Sequence, residues 1–216
     1  MNALVMYDHQ TDTLWSQFLS RGVKGPLAGQ QLEIVPSIQT TWAQWQGLHP
    51  ETLVLDKKGG YRRDTYEGYY RGRSAGILGE ANKDGRLPVK ELVVGIDLEG
   101  SAKAYPFHVM AAERVINDTF RGEAVVVTFE PVSETGAVFR SQVDGRSLTF
   151  HTLPDAGDGI MLMQDQQTSS TWQAVTGRAI DGPLAGAALQ RLPSNYSFWF
   201  AWSDFHPDTE LFERSP

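Results

Sequence analysis

The sequence contains no cysteine. Without thiols the chain cannot form a disulfide, a cysteine nucleophile, or a zinc or iron–sulfur centre held by cysteine. Basic residues are also in the minority, because 19 Lys and Arg stand against 26 Asp and Glu and give a formal net charge of −7. Nucleic-acid binding needs clustered Lys and Arg to neutralise phosphates, so this composition argues against a nucleic-acid partner.

Long apolar stretches are missing as well. The sequence has no run of about eighteen apolar residues, and it therefore predicts no membrane-spanning helix. Residues 2–8 lack the basic start and the apolar region of a secretory signal peptide, so we expect no signal peptide in this chain.

The strongest signal that is present is an internal repeat. Residues 8–55 align with residues 165–212 without a gap, at a constant offset of 157 positions, and 18 of the 48 aligned positions are identical. The identities include the block Gly-Pro-Leu-Ala-Gly and the pairs Trp15/Trp172, Trp42/Trp199, Trp45/Trp202 and His49/His206. We expect both segments to adopt the same fold, to superpose about a pseudo-twofold axis, and to bury the same surfaces, with Trp42 and Trp199 in similar surroundings.

Each repeated residue type has a structural interpretation. Gly-Pro-Leu-Ala-Gly predicts a connector of defined path between strands, because Pro fixes φ and Gly allows a positive φ. Two Trp three residues apart share one face of a short helix, at residues 40–48 and 197–205, with Thr or Ser as the N-cap. The His-Pro pair ends that helix. His49 and His206 are then either C-terminal helix caps or functional side chains.

The residues between the two copies predict hairpins and one helix. Residues 91–105 form a hairpin about Glu99-Gly100, residues 106–115 a helix, residues 123–129 a buried strand, and residues 137–152 a hairpin about Asp144-Gly145. The predicted fold class is α+β and β-rich, with short antiparallel strands and a few short helices. We divide the chain into a partial first unit (1–55), a connecting arm rich in Gly, Tyr and Arg (56–86) and a complete second unit (87–216).

Several stretches resemble a known family. They are ALVMYDHQTDTLWSQ, GPLAG, HPETLVL, YRRDTYEGYY, RLPVKELVVGIDLEG, AYPFHV, VINDTFRGEAVVVTF and FWFAWSDFHPDTELF, and together they cover nearly the whole chain. The chain resembles a family of mostly secreted bacterial and archaeal proteins known as domain of unknown function 3179. The resemblance implies a secreted or periplasmic location and a chain that starts within the first unit of the family.

The resemblance also identifies what this chain lacks. Family members carry a His-Glu pair after Ala-Tyr-Pro and a Cys-Pro-Leu-Cys motif after Val-Thr-Tyr, which look like metal or redox positions. This chain has Glu113 and Arg114 at the first pair, and Glu130 and Ser133 at the two Cys positions. The resemblance therefore implies a degenerate copy of the ligand-bearing unit, retained as a scaffold.

Acidic residues are the first candidates for chemistry. Glu130 and Glu134 follow the predicted buried strand, with Glu113 nearby, and paired carboxylates can serve acid–base catalysis or bind Ca²⁺. Asp155 and Asp158 lie in a Gly-containing segment with some character of a calcium loop. The alternative for all five residues is a structural one, in which they are solvated acids of loops and turns.

Two further candidates are a serine and a histidine. Ser74 lies in Gly-Arg-Ser-Ala-Gly, which matches the nucleophile elbow of serine hydrolases. A chance match is the alternative, because the flanking residues predict neither a buried strand before it nor a helix after it. His108 is a candidate base, or else a polar surface residue or a satisfied core residue.

These observations leave two functions open. The first is a non-catalytic, extracytoplasmic binding or scaffold module for an unspecified small-molecule ligand. The second is a hydrolase of small esters or lactones that uses a carboxylate-held metal such as calcium, or Ser74. In either case the partial first unit leaves sheet edges and apolar surface uncovered, and we expect a homodimer in which two chains cover each other.

Overall fold

A computed structural model describes residues 4–56, 66–76, 78–154 and 160–214. Within these residues strands outnumber helices, and the strands form several small sheets. The pairing is antiparallel everywhere except between residues 210–211 and 103–104. The predicted β-rich class with short antiparallel strands is therefore confirmed.

The first repeat forms a three-stranded sheet followed by a helix. Its elements are β1 (Val5–Tyr7), β2 (Leu14–Ser16), β3 (Arg21–Lys24) and α1 (Trp42–Leu48), and the connecting arm adds α2 (Glu67–Arg71). The Thr41 side chain caps α1 by accepting a hydrogen bond from the backbone N–H of Gln44 at 3.3 Å, which confirms the predicted type of N-cap.

The central part of the chain consists of hairpins. Its elements are β4 (Leu92–Leu98), β5 (Ser101–Pro106), α3 (Phe107–Ala112), β6 (Val115–Phe120), β7 (Glu123–Glu130), β8 (Thr135–Arg140), β9 (Gln142–Val143), β10 (Arg146–Ser147) and β11 (Phe150–Thr152). The two predicted turns are confirmed, with positive φ at both residues of Glu99-Gly100 and of Asp144-Gly145. The hairpin predicted for residues 137–152 is wrong beyond its turn, because only residues 142–147 pair with each other, whereas residues 135–140 pair with β7 and residues 150–152 pair with residues 163–165.

Two hairpins of this central part, β6 with β7 and β7 with β8, were not predicted. The helix predicted for residues 106–115 ends earlier, because Val115 already begins β6. Arg121 and Gly122 then turn the chain into β7, again with positive φ at both residues. The prediction of a helix up to residue 115 leaves no strand before this turn, which is why the hairpin of β6 and β7 is missing from the predicted fold.

The second repeat has the same order of elements as the first, with additional strands. Its elements are β12 (Leu162–Asp165), β13 (Thr171–Gln173), β14 (Arg178–Asp181), β15 (Gln190–Arg191), β16 (Asn195–Phe198), α4 (Trp199–Phe205) and β17 (Glu210–Leu211). The strands β12 to β14 and the helix α4 begin 157 positions after β1 to β3 and α1. The predicted Ser N-cap of α4 is wrong, since Phe198 occupies that position and makes no side-chain cap.

The additional strands join the second repeat to the central hairpins. β16 pairs with β4, β15 pairs with β8, and β17 runs parallel to β5. β12 pairs on its outer side with β11. The central hairpins therefore cover the second repeat along every one of these edges.

The two repeats differ in burial. Trp199 is fully buried in a core cluster with Val93 and Ala104, whereas Trp42 is 51% exposed. The expectation that these two Trp lie in similar surroundings is therefore wrong. The reason is that a sequence repeat determines local backbone structure, whereas burial depends on partner elements. The part of the chain that the structure describes holds one set of central hairpins, and the second repeat uses it.

The first repeat packs against the second and against the central hairpins. The Phe18 ring stacks on Phe205, with ring centroids 4.5 Å apart, and contacts Trp202 as well. Ile38 packs against the core cluster that contains Trp172. These contacts create a seam between the first repeat and the rest of the chain, and two cavities lie along it.

Candidate functional site

Three hairpin loops share one hydrogen-bonding pattern of an acid and two hydroxyl residues. The three sets are Asp8, Thr11 and Thr13; Glu130, Ser133 and Thr135; and Asp165, Thr168 and Ser170. In each loop the acid accepts a hydrogen bond of 2.6 Å from the backbone N–H of the first hydroxyl residue. The two hydroxyl oxygens lie 2.6 to 2.7 Å apart. The loops therefore use the same internal network to close three different hairpins.

A tryptophan completes this network in the two repeats. Trp15 donates from its indole nitrogen to Asp8, and Trp172 donates to Asp165, each at 2.9 Å. The bond from Trp15, together with those from Thr11, lowers the pKa of Asp8 to about 2. Burial acts to raise the pKa of Asp165, but the bonds from Trp172 and from its own loop outweigh it, so that this pKa is lowered too.

The Glu130 loop lies where the resemblance places the family's two cysteines. Glu130 is buried and accepts hydrogen bonds from the backbone N–H of Val132 at 2.9 Å and from the Ser133 hydroxyl at 2.5 Å. Ser133 and Thr135 are in turn hydrogen-bonded, and Thr135 donates to the Thr40 hydroxyl at 2.7 Å. A chain of hydroxyl groups thus links a buried carboxylate to the first repeat.

A cavity of about 360 Å³ opens beside this loop, at the seam. Its walls include Thr40, Tyr70, Phe107, Glu134 and Tyr196. The Tyr196 hydroxyl donates to the Gly136 carbonyl oxygen at 2.5 Å, and burial raises the pKa of Tyr196, so that this phenol stays neutral. Aromatic walls with a few polar groups are typical of a small-ligand pocket.

The acidic and histidine candidates have separate partners. The Nδ1 atom of His108 lies 2.7 Å from Glu91 Oε1, and the carboxylate of Glu113 lies 3.9 Å from Arg214 Nε. Glu130 is bonded within its own loop, whereas Glu134 lines the cavity. Among the residues that the structure describes, no three His, Asp or Glu side chains form a group that could hold a metal ion.

Ser74 has surroundings that differ from those of a nucleophile elbow. An elbow places its serine between a buried strand and a helix. Ser74 is exposed and follows the helix α2 within residues 66–76. The other two acidic candidates, Asp155 and Asp158, lie outside the described residues.

The two repeated histidines end their helices through the backbone. The N–H of His49 donates to the Trp45 carbonyl oxygen at 2.8 Å, and the N–H of His206 donates to the Trp202 carbonyl oxygen at 2.9 Å. Both residues therefore occupy the C-cap position through their backbone, which leaves their side chains available for other contacts. The His49 ring packs on the Trp45 ring and the His206 ring on the Trp202 ring, with ring centroids 4.3 and 4.1 Å apart. The Nδ1 atom of His206 also lies 3.8 Å from Asp97. Burial lowers the pKa of His206, and Asp97 opposes this effect.

A partly buried ionic cluster was missed by the sequence analysis. The Lys103 ammonium lies 2.6 Å from Asp118, and the Tyr105 hydroxyl donates to the same carboxylate at 3.0 Å. Burial is the main cause that raises the pKa of Tyr105. A single Lys in a predicted strand does not indicate a buried ion pair, because Lys also occurs at exposed strand positions. The cluster ties β5 to β6, and Lys103 also lies 3.8 Å from Glu210 of β17.

These features define a β-rich protein built on a repeated hairpin and helix, with three hydroxyl-rich hairpin loops, of which the Glu130 loop contacts the first repeat. The chain belongs to the family described as Protein of unknown function (DUF3179), whose model matches residues 1–99 and, separately, residues 81–216. The double match is consistent with the internal repeat. No curated protein and no solved structure matches the chain significantly. Among the described residues, none of the helices has the length and apolar character needed to span a bilayer.

Proposed function

We propose that the chain is a non-catalytic binding or scaffold module of the extracytoplasmic type, whose first repeat docks against a second copy of the chain. The burial contrast between the repeats is the observation that supports this. Leu192 is 4% exposed beneath the central hairpins, whereas its equivalent Val35 is 76% exposed. Leu4 is likewise exposed where Met161 is fully buried. Apolar surface that is buried in one repeat and open in the other is typical of an unfilled interface.

The edge of β1 provides a geometry for this association. In the second repeat the equivalent strand β12 has β11 on its outer side. Within the described residues, β1 pairs with β2 alone and leaves its other edge open. An antiparallel edge is complementary to itself about a twofold axis, so two β1 strands from two chains can pair and extend the sheet.

A pseudo-twofold relation between the repeats is part of the same proposal. Phe18 of the first repeat packs on Trp202 of the second, and Thr176 of the second repeat lines the same cavity as Trp45 of the first. The repeat equivalent of Phe18 is Val175, the neighbour of Thr176, so the two placements are approximately reciprocal and support two similar segments facing each other across a local axis. If the first repeats of two chains pair, they would be related by a twofold axis between the chains in the same way.

Replacing Val5 with Lys is expected to weaken the dimer by at least about tenfold in its dissociation constant, because a buried charge at a strand edge opposes pairing. Light scattering over a concentration series measures the effect. Ile180→Lys is the matched control, since Ile180 and its equivalent Val23 are exposed in both repeats. A chain that stays monomeric at the highest concentration, or an equal shift in both variants, contradicts the proposal.

The alternative function is a hydrolase of small esters or lactones that uses a carboxylate-held calcium. The position of Glu134 on the cavity wall is the observation that favours it. We expect the chain to show no hydrolysis of an ester and lactone panel above the buffer rate, with or without chelator. Hydrolysis that is lost in both Glu134→Gln and Glu130→Gln, or on chelation, would establish the hydrolase in place of the binding module.

A further inference from the structure

A second cavity of about 340 Å³ lies where α1 of the first repeat faces β15 of the second. Its apolar walls come from Ile38, Trp45 and Leu48, and its polar groups include His49 and Arg191. Because these residues come from two distant parts of one chain, the cavity exists within a single chain. It does not depend on the proposed homodimer.

Arg191 gives this cavity a cationic group with unused hydrogen-bonding capacity. One guanidinium nitrogen donates to the Val175 carbonyl oxygen at 2.5 Å, and the guanidinium lies 5.0 Å from the centre of the Phe139 ring. A guanidinium has five N–H groups, and within the described part of the chain Arg191 forms no ion pair with an Asp or Glu. Burial lowers the pKa of Arg191, as expected for a cation that lacks a carboxylate partner.

His49 adds a second polar group that differs from its repeat equivalent. In the second repeat His206 lies 3.8 Å from the Asp97 carboxylate. Asp97 belongs to β4, one of the central strands that cover the second repeat. Among the described residues no acid takes this place beside His49, whose ring packs on Trp45. An anion in the cavity would therefore give His49 the kind of partner that His206 already has.

We infer that this cavity is a binding site for a small monocarboxylate with an apolar body. The planar guanidinium matches a carboxylate through two parallel hydrogen bonds. Trp45, Leu48 and Ile38 supply the apolar contact for the rest of the ligand. The volume of the cavity falls within the range of roughly 300–1,000 Å³ of ligand pockets, at its lower end.

Benzoate is the probe for this inference, and benzamide is its neutral isostere. Titration of the full chain, followed by calorimetry and by Trp fluorescence, is expected to show benzoate binding at least about tenfold more tightly than benzamide, because charge-assisted bonds to Arg191 are lost with the amide. Inorganic phosphate is expected to bind more weakly than benzoate, since it makes no apolar contact. Arg178→Gln, at an exposed Arg of the same repeat, is expected to leave the affinity for benzoate unchanged.

Two variants separate binding from folding. Arg191→Gln is expected to abolish the preference for benzoate over benzamide, and Arg191→Lys to retain part of it. Because Arg191 also packs on Phe139, His49→Gln serves as a second variant at an exposed ring, with an expected loss of several-fold in benzoate affinity. Equal affinities for benzoate and benzamide, no binding of benzoate at about 20 mM, or unchanged affinity in both Arg191→Gln and His49→Gln would overturn the inference.

Discussion

Replacing Trp199 with Ala is expected to lower the free energy of unfolding by about 3–5 kcal/mol, because it empties a fully buried site in the core. The same substitution at the equivalent Trp42 is expected to lower it by less than about 1 kcal/mol, because that side chain is half exposed. Urea unfolding followed by far-UV circular dichroism measures both values on the same chain.

The two Trp variants form a matched pair, since they occupy equivalent positions at the start of equivalent helices. Helix propensity changes by the same amount in both, so the difference between them reports burial. It should be measured at a concentration where the chain is monomeric, so that association does not add to the value for Trp42. Equal losses of stability would mean that the central hairpins do not cover the second repeat as described.

Replacing Asp165 with Ala is expected to lower the free energy of unfolding by at least about 3 kcal/mol, because several buried donors lose their acceptor. Asp165 is buried and accepts bonds from the Trp172 indole, the Thr168 N–H and hydroxyl, and the Ser170 N–H. Asp181→Ala is the control, since Asp181 is an exposed end of β14 in the same repeat. A loss no larger than that of the control would contradict the role given to this loop.

The pH dependence of stability follows from the same carboxylates. The pKa of Asp165 is lowered in the folded chain, and that of Asp8 falls to about 2, against about 3.9 in an unfolded chain. A lowered pKa means that the unfolded chain binds more protons than the folded chain in this pH range. The contribution of these two carboxylates to stability is therefore fully present above about pH 4–5 and is lost as pH falls through their folded pKa. The pH profile of Asp165→Asn should be flatter than that of the wild type below about pH 4.

The local structure of the repeats could be predicted because short-range residues determine it. Gly25 and Gly182 show the reason, since both have positive φ and a Cβ atom on either would lie within 2.8 Å of the Cα of Thr13 or Ser170. Only glycine fits such a position. The repeated Gly-Pro-Leu-Ala-Gly block therefore specifies the same connector twice.

Burial could not be predicted from the repeat, because it depends on elements outside the aligned segments. Gly95 of β4 illustrates this, as it lies directly beneath the Trp202 ring, where a Cβ atom would approach the ring to 2.3 Å. Nothing in the aligned segments indicates that Gly95 covers Trp202 rather than Trp45. The pairing of β16 with β4 decides it.

The candidate sites were only partly visible in the sequence. Glu130 and Glu134 were identified as acids of one loop, but the loop pattern was hidden because Glu130 and Ser133 replace the Asp and Thr of the other two loops. The Arg191 cavity gave no signal at all. The repeat equivalent of Arg191 is Ile34, so the alignment does not single out position 191. The walls of the cavity come from residues more than a hundred positions apart in the sequence.

The central claim is that the two repeats share a backbone fold and differ in what covers them. Fluorine NMR of the chain labelled with 5-fluorotryptophan tests it, because the shift between H₂O and D₂O reports the solvent contact of each of the six Trp side chains. With the chain monomeric, we expect a large isotope shift for Trp42, a small one for Trp15, and none for the fully buried Trp172, Trp199 and Trp202. Equal shifts for Trp42 and Trp199 would contradict the claim.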